Sequence, residues 1–186
     1  MSTLDQFGLT ESHNTTHTLH IVTADYYDNW HDGLGEVQQN WLAAHNFLAK
    51  PGAAISLPDA TGNIDMAIGI VAAPYIWDGA KLAKALPKSV WKPAVYAQCI
   101  DSEELAALAL GWGLSAYQFD RYRDKAKPLV NQLVCPETVA ISQLNGLLAG
   151  TYLCRDLINL PPNYLTPAEL ESQARQLAAT HHADIT

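Results

Sequence analysis

The sequence predicts an α/β domain built on a mixed β-sheet flanked by helices. Three observations support this prediction. Short apolar segments typical of strands alternate along the chain with segments that have the spacing of amphipathic helices. A turn rich in proline and glycine at residues 58–62 joins two strand-like segments closely enough for an antiparallel pair. The length of 186 residues, with 48% hydrophobic and 16% charged residues, suits one compact domain with a short extension.

The predicted strands are short and apolar. They cover residues 19–23, 53–57, 63–73, 94–100 and 129–134. Segment 63–73 is apolar almost throughout, which predicts a central strand buried on both faces. In the turn that precedes it, Asp59 can hydrogen-bond to its own backbone and Gly62 can adopt a positive φ.

Two helices are predicted before residue 100, at residues 33–50 and 78–86, and a third after Asp101 has the clearest signals. Asp101 and Glu104 have the spacing of a capping box. Gly111 and Gly113 each cost about 1 kcal/mol relative to alanine in a helix interior, so we expect close packing against another element. The apolar stripe of this helix consists of Leu105, Leu108, Trp112, Ala116 and Phe119.

Two more helices are predicted in the last third of the chain. Pro136 suits the first turn of one helix, which Pro161 and Pro162 end after about Asn159. Its apolar face consists of Ile141, Leu144, Leu148 and Tyr152. For the last helix, Thr166 is the expected N-cap and Pro167 the expected first residue. The side chain of Glu169 is expected to reach back to the backbone N–H of Thr166. Its expected buried face consists of Leu170, Ala174, Leu177 and Ala178.

The composition argues against several classes of protein. A net charge of -8 without any run of lysine and arginine argues against nucleic-acid binding. The three cysteines, Cys99, Cys135 and Cys154, are odd in number and widely spaced. We therefore expect them to be small apolar core residues of a protein in a reducing compartment. The polar N-terminus and the absence of a long apolar stretch predict a soluble cytoplasmic protein.

The residues themselves suggest no catalytic centre. Residues 113–117 lack the second glycine of a nucleophile elbow, and residues 111–113 are an isolated G-x-G inside a helix. His13, His17 and His20 have helical spacing, but Asn14 and the threonines between them disfavour a helix and the segment leads into a strand. A zinc site would also need acidic or thiol partners nearby. We therefore predict no catalytic residue and no metal ligand in this chain.

Two stretches resemble the leucyl (cytosol) aminopeptidase family. They are LGWGLSAYQFDRY at residues 110–122 and, more specifically, RDLINLPPNYLTP at residues 155–167. The resemblance implies a macrodomain-like N-terminal, non-catalytic domain over residues 1–150. It implies a linker helix and the start of a catalytic domain over residues 151–186. Residues 183–186 look like the approach to a further strand, which also suggests that the chain continues, although a frayed helix end is the alternative.

The resemblance also implies what the whole protein does. Family members release N-terminal amino acids from peptides with two divalent metals, zinc or manganese, and typically assemble as hexamers. The glycine-rich motifs that hold those metals do not occur between residues 1 and 186, so this chain alone is expected to be inactive. The candidate residues for a domain interface are those of the matched linker: Arg155, Asp156, Asn159, Pro161, Asn163 and Thr166.

Two alternative functions stay open at this point. A macrodomain-like fold could bind a nucleotide or ADP-ribose, although candidate loops such as residues 74–79 are not rich in glycine. The chain could also be a stand-alone interaction protein that descends from a peptidase without its catalytic half. An open reading frame beyond residue 186 would argue against the second alternative.

Overall fold

The computed structural model of the protein describes residues 4–14, 16–73, 75–122 and 131–185. It divides into two compact units, Met1–Ala149 and Gly150–Thr186. The strands are β1 (Leu9–Thr10), β2 (His17–Thr23), β3 (Ala54–Pro58), β4 (Ile64–Val71), β5 (Val90–Val95) and β6 (Gln132–Val134). The α-helices are α1 (Tyr27–Asp32), α2 (Glu36–Ala44), α3 (Ile76–Ala85), α4 (Ser102–Ser115), α5 (Ile141–Asn159) and α6 (Pro167–His181).

The strands form one mixed sheet, as predicted. Their order is β1-β6-β5-β2-β4-β3, and every neighbouring pair is parallel except the antiparallel pair β3 and β4. The turn between that pair works as predicted, because Asp59 Oδ1 accepts from Thr61 N and Asn63 N at 2.7 and 2.9 Å. Gly62 has a φ of 87°. Hydrogen bonds to its carboxylate also lower the pKa of Asp59. The largest cause is the hydrogen bond that the Thr61 hydroxyl donates.

Side chains of α2 donate hydrogen bonds to backbone carbonyl groups of β3, the strand at the outer edge of the sheet. Trp41 Nε1 donates to the Ser56 carbonyl at 3.1 Å, and Gln38 Nε2 donates to the Pro58 carbonyl at 2.9 Å. An edge strand with unpaired backbone groups is a template for aggregation. The contacts from α2 therefore protect β3.

Glycines bring α3 and α4 close together on one face of the sheet. A Cβ at Gly111 would collide with the Ile76 carbonyl, and a Cβ at Gly79 would collide with the Leu108 carbonyl. A Cβ at Gly113 would lie 2.8 Å from the Leu148 side chain of α5. The predicted close packing at Gly111 and Gly113 is confirmed, and the structure identifies the partners.

The capping box of α4 is confirmed as well. Asp101 Oδ1 accepts from the amides of Glu103 and Glu104, both at 2.9 Å, and Glu104 Oε2 accepts from Asp101 N at 2.9 Å. The helix then buries Leu105, Leu108 and Trp112. It ends at Ser115, however, so Ala116 and Phe119 of the predicted stripe lie beyond the helix and are half-buried.

Two predicted boundaries in the first hundred residues are wrong. The predicted helix at residues 33–50 is shorter, because α2 ends at Ala44, and the separate helix α1 before it was missed. The strand predicted at residues 94–100 lies earlier, at Val90–Val95. In the sheet register Pro93 of this strand lies opposite Leu19 of β2, and the pairing with β6 ends at Trp91.

Three further predictions need correction. Pro136 does not start a helix, because residues 136–139 form a turn with Val139 N donating to the Pro136 carbonyl at 3.0 Å. The predicted strand at residues 129–134 is observed only at Gln132–Val134, and residues 129 and 130 lie outside the described residues. Cys99 and Cys135 are buried as predicted, whereas Cys154 is exposed. Within the described residues, no helix is long and apolar enough to cross a membrane.

Candidate functional site

The predicted linker, residues 155–167, which we call the linker segment, folds as helix, turn and helix. Helix α5 ends at Asn159, and the amides of Tyr164 and Leu165 donate to the Pro161 carbonyl at 2.9 and 3.1 Å. Thr166 Oγ1 then accepts from Glu169 N at 3.3 Å at the start of α6. The predicted helix stop, proline turn and N-cap are therefore confirmed.

The six candidate residues of the linker segment lie largely in solvent. Arg155 and Pro161 are half-buried, and the exposed candidates are Asp156, Asn159, Asn163 and Thr166. Arg155 and Asn159 are four residues apart in α5, so the helix places them on the same side. Thr166 has a clear structural role as a cap. The role of the other five at a domain interface stays a prediction.

The second unit exposes large apolar side chains. Leu170 and Leu177, which the sequence predicted to be buried, are 50% and 46% exposed, and α6 contains no buried residue. Ile158 is 81% exposed and Tyr164 52%. We call these four residues the apolar surface of the second unit. The periodicity of the sequence indicates a face suited to burial.

The three N-terminal histidines diverge. His13 lies in the segment between β1 and β2, whereas His17 and His20 are in β2 and point to opposite faces of the sheet. His17 packs 5.4 Å from the Trp91 ring, and His20 packs 5.6 Å from the Trp30 ring. Among the described residues, no three His, Cys, Asp or Glu side chains form a group that could hold a metal.

His20 belongs to a polar cluster that the sequence did not reveal. Its Nδ1 lies 2.7 Å from the Tyr96 hydroxyl, and Tyr96 also has a hydrogen bond with Trp30. The Nε2 atom is buried and has no hydrogen-bond partner. Burial lowers the pKa of His20, because the charged imidazolium would lose its hydration there. The cluster therefore favours a neutral histidine.

Asn131 was also missed, because a lone asparagine in a sequence gives no sign of burial. It is 8% exposed and its Nδ2 donates to the carbonyls of Ala83 and Leu86 at 2.9 and 2.8 Å. Its Oδ1 accepts from Ser89 N at 3.0 Å and from Trp91 Nε1 at 3.2 Å. This one side chain joins the end of α3 to the starts of β5 and β6, which is a structural role.

The chain belongs to the M17 aminopeptidase family, whose N-terminal domain model matches residues 18–136. It is 28% identical over 174 residues to a probable cytosol aminopeptidase of Synechococcus sp. (strain WH7803), covering 79% of this chain and 34% of that protein. It is 39% identical over 85 residues to a probable cytosol aminopeptidase of Rhodopseudomonas palustris (strain BisA53), covering 40% of this chain and 17% of that protein.

The fold is that of solved leucyl-type aminopeptidases. The crystal structure of the cytosol aminopeptidase from Coxiella burnetii superposes with a TM-score of 0.82 at 27% identity, covering 93% of this chain and 38% of that one. A structure of the bottromycin maturation enzyme BotP superposes with a TM-score of 0.67 at 24% identity, covering 91% and 38%, and supports the fold alone. The chain thus spans less than two-fifths of the length of these relatives, and it contains the N-terminal domain of the family.

Proposed function

We propose that this chain is the architectural N-terminal part of a longer two-metal aminopeptidase that releases N-terminal amino acids from peptides. The observation that carries the proposal is the family match to an N-terminal domain at residues 18–136. The linker motif follows it at residues 155–167. The chain spans 34% of the Synechococcus relative, which leaves most of such a protein for the catalytic part.

The described residues of this chain do not form a site for the two metals. A catalytic metal site needs several protein ligands in one place. The described residues contain no group of three suitable side chains, and no glycine-rich metal motif occurs in the sequence. We therefore assign zinc or manganese to the remainder of the parent protein and derive no metal-dependent step here.

The linker segment and the apolar surface of the second unit support an architectural role. Exposed apolar patches of this kind mark surfaces that another domain or partner covers. We propose that the remainder of the parent chain covers Ile158, Leu170 and Leu177, with Arg155 and Asp156 at the margin of that contact. Cytoplasmic location and assembly into a homo-oligomer, as a hexamer, belong to the same proposal, and the relatives are named cytosol aminopeptidases.

The proposal is tested by comparing the 186-residue chain with the full product of its source gene. We expect the full product to release 4-nitroaniline from leucine 4-nitroanilide in the presence of Mn²⁺ or Zn²⁺, and to lose this activity when a chelator is added. The 186-residue chain should release none. Metal-dependent release by the short chain would overturn its inactivity, and a reading frame that stops after Thr186 would overturn the peptidase assignment.

A further inference from the structure

A cavity of about 230 Å³ lies at the carboxyl ends of helices α3 and α4, within the first unit. We call it the helix-end cavity. Its volume is below the range of drug-sized sites, roughly 300–1,000 Å³, so it suits a small molecule. The lining residues that matter for its chemistry are Lys84, Leu86, Ser115, Ala116, Gln118 and Asn131.

Gln118 brings an unsatisfied hydrogen-bond acceptor to this cavity. Its Oε1 atom is buried and has no hydrogen-bond partner within the described chain. A buried acceptor without a partner has lost its hydration and gained no hydrogen bond in return, which destabilises the folded state. Most buried polar groups of native proteins have a partner, so we expect a bound molecule to donate to this atom.

Two other polar side chains of the cavity donate elsewhere. Asn131 Nδ2 donates to the carbonyls of Ala83 and Leu86 at 2.9 and 2.8 Å. The Ser115 hydroxyl donates to the Trp112 carbonyl at 2.7 Å. Because these hydrogens are already engaged, we assign the missing donor to the molecule that occupies the cavity.

The composition of the wall narrows the class of that molecule. The exposed cation of Lys84 disfavours a cationic ligand. The carboxyl ends of the two helices carry partial negative charge and disfavour an anionic ligand. Leu86 and Ala116 add apolar surface, which offers no hydrogen bonds to the water molecules that would otherwise fill the cavity. An uncharged ligand with an N–H group and a small hydrocarbon part satisfies both Gln118 and this apolar surface.

We propose that the helix-end cavity binds a small molecule with a primary carboxamide group. The ligand N–H donates to Gln118 Oε1, Gln118 Nε2 donates to the ligand carbonyl, and the hydrocarbon part packs on Leu86 and Ala116. A primary amide carries an N–H and its C=O on the same side, so both hydrogen bonds form with one planar glutamine amide. A trans secondary amide has them on opposite sides and forms only one. Binding does not depend on the peptidase proposal.

The first test compares ligands on the 186-residue chain. Isobutyramide is titrated while backbone amide chemical shifts are recorded, and N-methylisobutyramide and sodium isobutyrate are titrated in parallel. We expect isobutyramide to shift the amides of Ser115, Ala116 and Gln118. Each of the other two compounds loses one of the two hydrogen bonds and should bind about fivefold more weakly. Equal affinity for all three compounds would overturn the proposal.

The second test compares variants. Gln118→Met keeps the size of the side chain, removes both amide groups and should weaken isobutyramide binding about tenfold or more. The same change at the exposed Gln98, which does not line the cavity, should leave binding unchanged, and thermal unfolding checks that both variants fold. Unchanged binding to Gln118→Met would contradict the proposed site.

Absence of binding also decides the question. If isobutyramide does not bind at tens of millimolar, above the roughly 1 mM scale of weak specific sites, the proposal is wrong and the cavity holds water. That result leaves the peptidase proposal intact, since the latter rests on the full gene product.

Discussion

Helices α4 and α6 begin alike and end up in different environments. In both, the side chain of the N-cap residue accepts a hydrogen bond from the backbone N–H of the residue three positions later. Both also carry an apolar stripe. In the first unit α4 buries six of its fourteen residues, whereas in the second unit α6 buries none of its fifteen. The comparison shows that local signals define where a helix begins, while burial depends on what packs against it.

The largest expected difference concerns leucines of the two helices. Leu108 of α4 is fully buried and Leu177 of α6 is 46% exposed. Leu108→Ala should lower the free energy of unfolding by about 3 kcal/mol, through lost burial and the cavity left behind. Leu177→Ala should change it by less than about 0.5 kcal/mol. Urea unfolding followed by circular dichroism measures both. A comparable loss at Leu177 would mean that α6 is covered in solution.

Glycines in the first unit give the next largest effect. Gly111→Ala should lower the free energy of unfolding by about 2 kcal/mol, because the new methyl group meets the backbone of Ile76, which cannot move aside cheaply. The matched control is Gly146→Ala in α5, where nothing lies within 4 Å of the added atom. There we expect a gain of about 0.5–1 kcal/mol from helix propensity. Equal effects in the urea experiment would contradict the close contact of α3 with α4.

The helix caps should have smaller effects that differ in kind. Asp101→Ala and Thr166→Ala each remove a capping acceptor, which costs about 1 kcal/mol. For Asp101 we expect the loss in the global free energy of unfolding. For Thr166 we expect mainly faster amide hydrogen exchange in α6, because a helix without buried residues opens locally. Global destabilisation by Thr166→Ala, with unchanged exchange in α6, would count against this distinction.

The smallest effect is a dependence of stability on pH that we expect from His20 in the first unit. Burial lowers the pKa of His20 below its ordinary value of 6.5, so the unfolded chain takes up the proton at higher pH than the folded chain. The contribution of His20 to stability is complete above pH 6.5 and declines as the pH falls below it. His20→Gln should flatten this part of the curve of unfolding free energy against pH.

The exposed His45 supplies the control for that measurement. His45→Gln should leave the decline below pH 6.5 in place. If both substitutions flatten the curve equally, the decline does not come from the cluster of His20, Tyr96 and Trp30.

Local chemistry accounts for the parts of the fold that the sequence predicted well. The turn at Asp59 and Gly62, the capping box at Asp101 and Glu104, and the stop at Pro161 all lie within a few residues of their partners. Such interactions need no knowledge of the rest of the chain. The alternation of apolar segments also sufficed for the mixed sheet, because burial requires periodicity whatever the partner is.

The errors arose where a residue's role depends on distant partners. Cys99 and Ile100 look like strand residues, but a turn beginning at Tyr96 buries them instead. The strand at Val90–Val95 was predicted too late in the sequence, because its position is set by pairing with β2 and β6. The sequence did not reveal the burial of Asn131 and His20, since their hydrogen-bond partners are at least 40 positions away.

The sequence by itself determined the α/β class and the family, because strand and helix periodicity, caps, prolines and a contiguous motif are all properties of neighbouring residues. Only the tertiary structure decided which glycine meets which backbone and which histidine is buried. Those features depend on the order of strands in the sheet and on the faces to which the connections lead. Side chains remote in the sequence become neighbours only when the chain has folded.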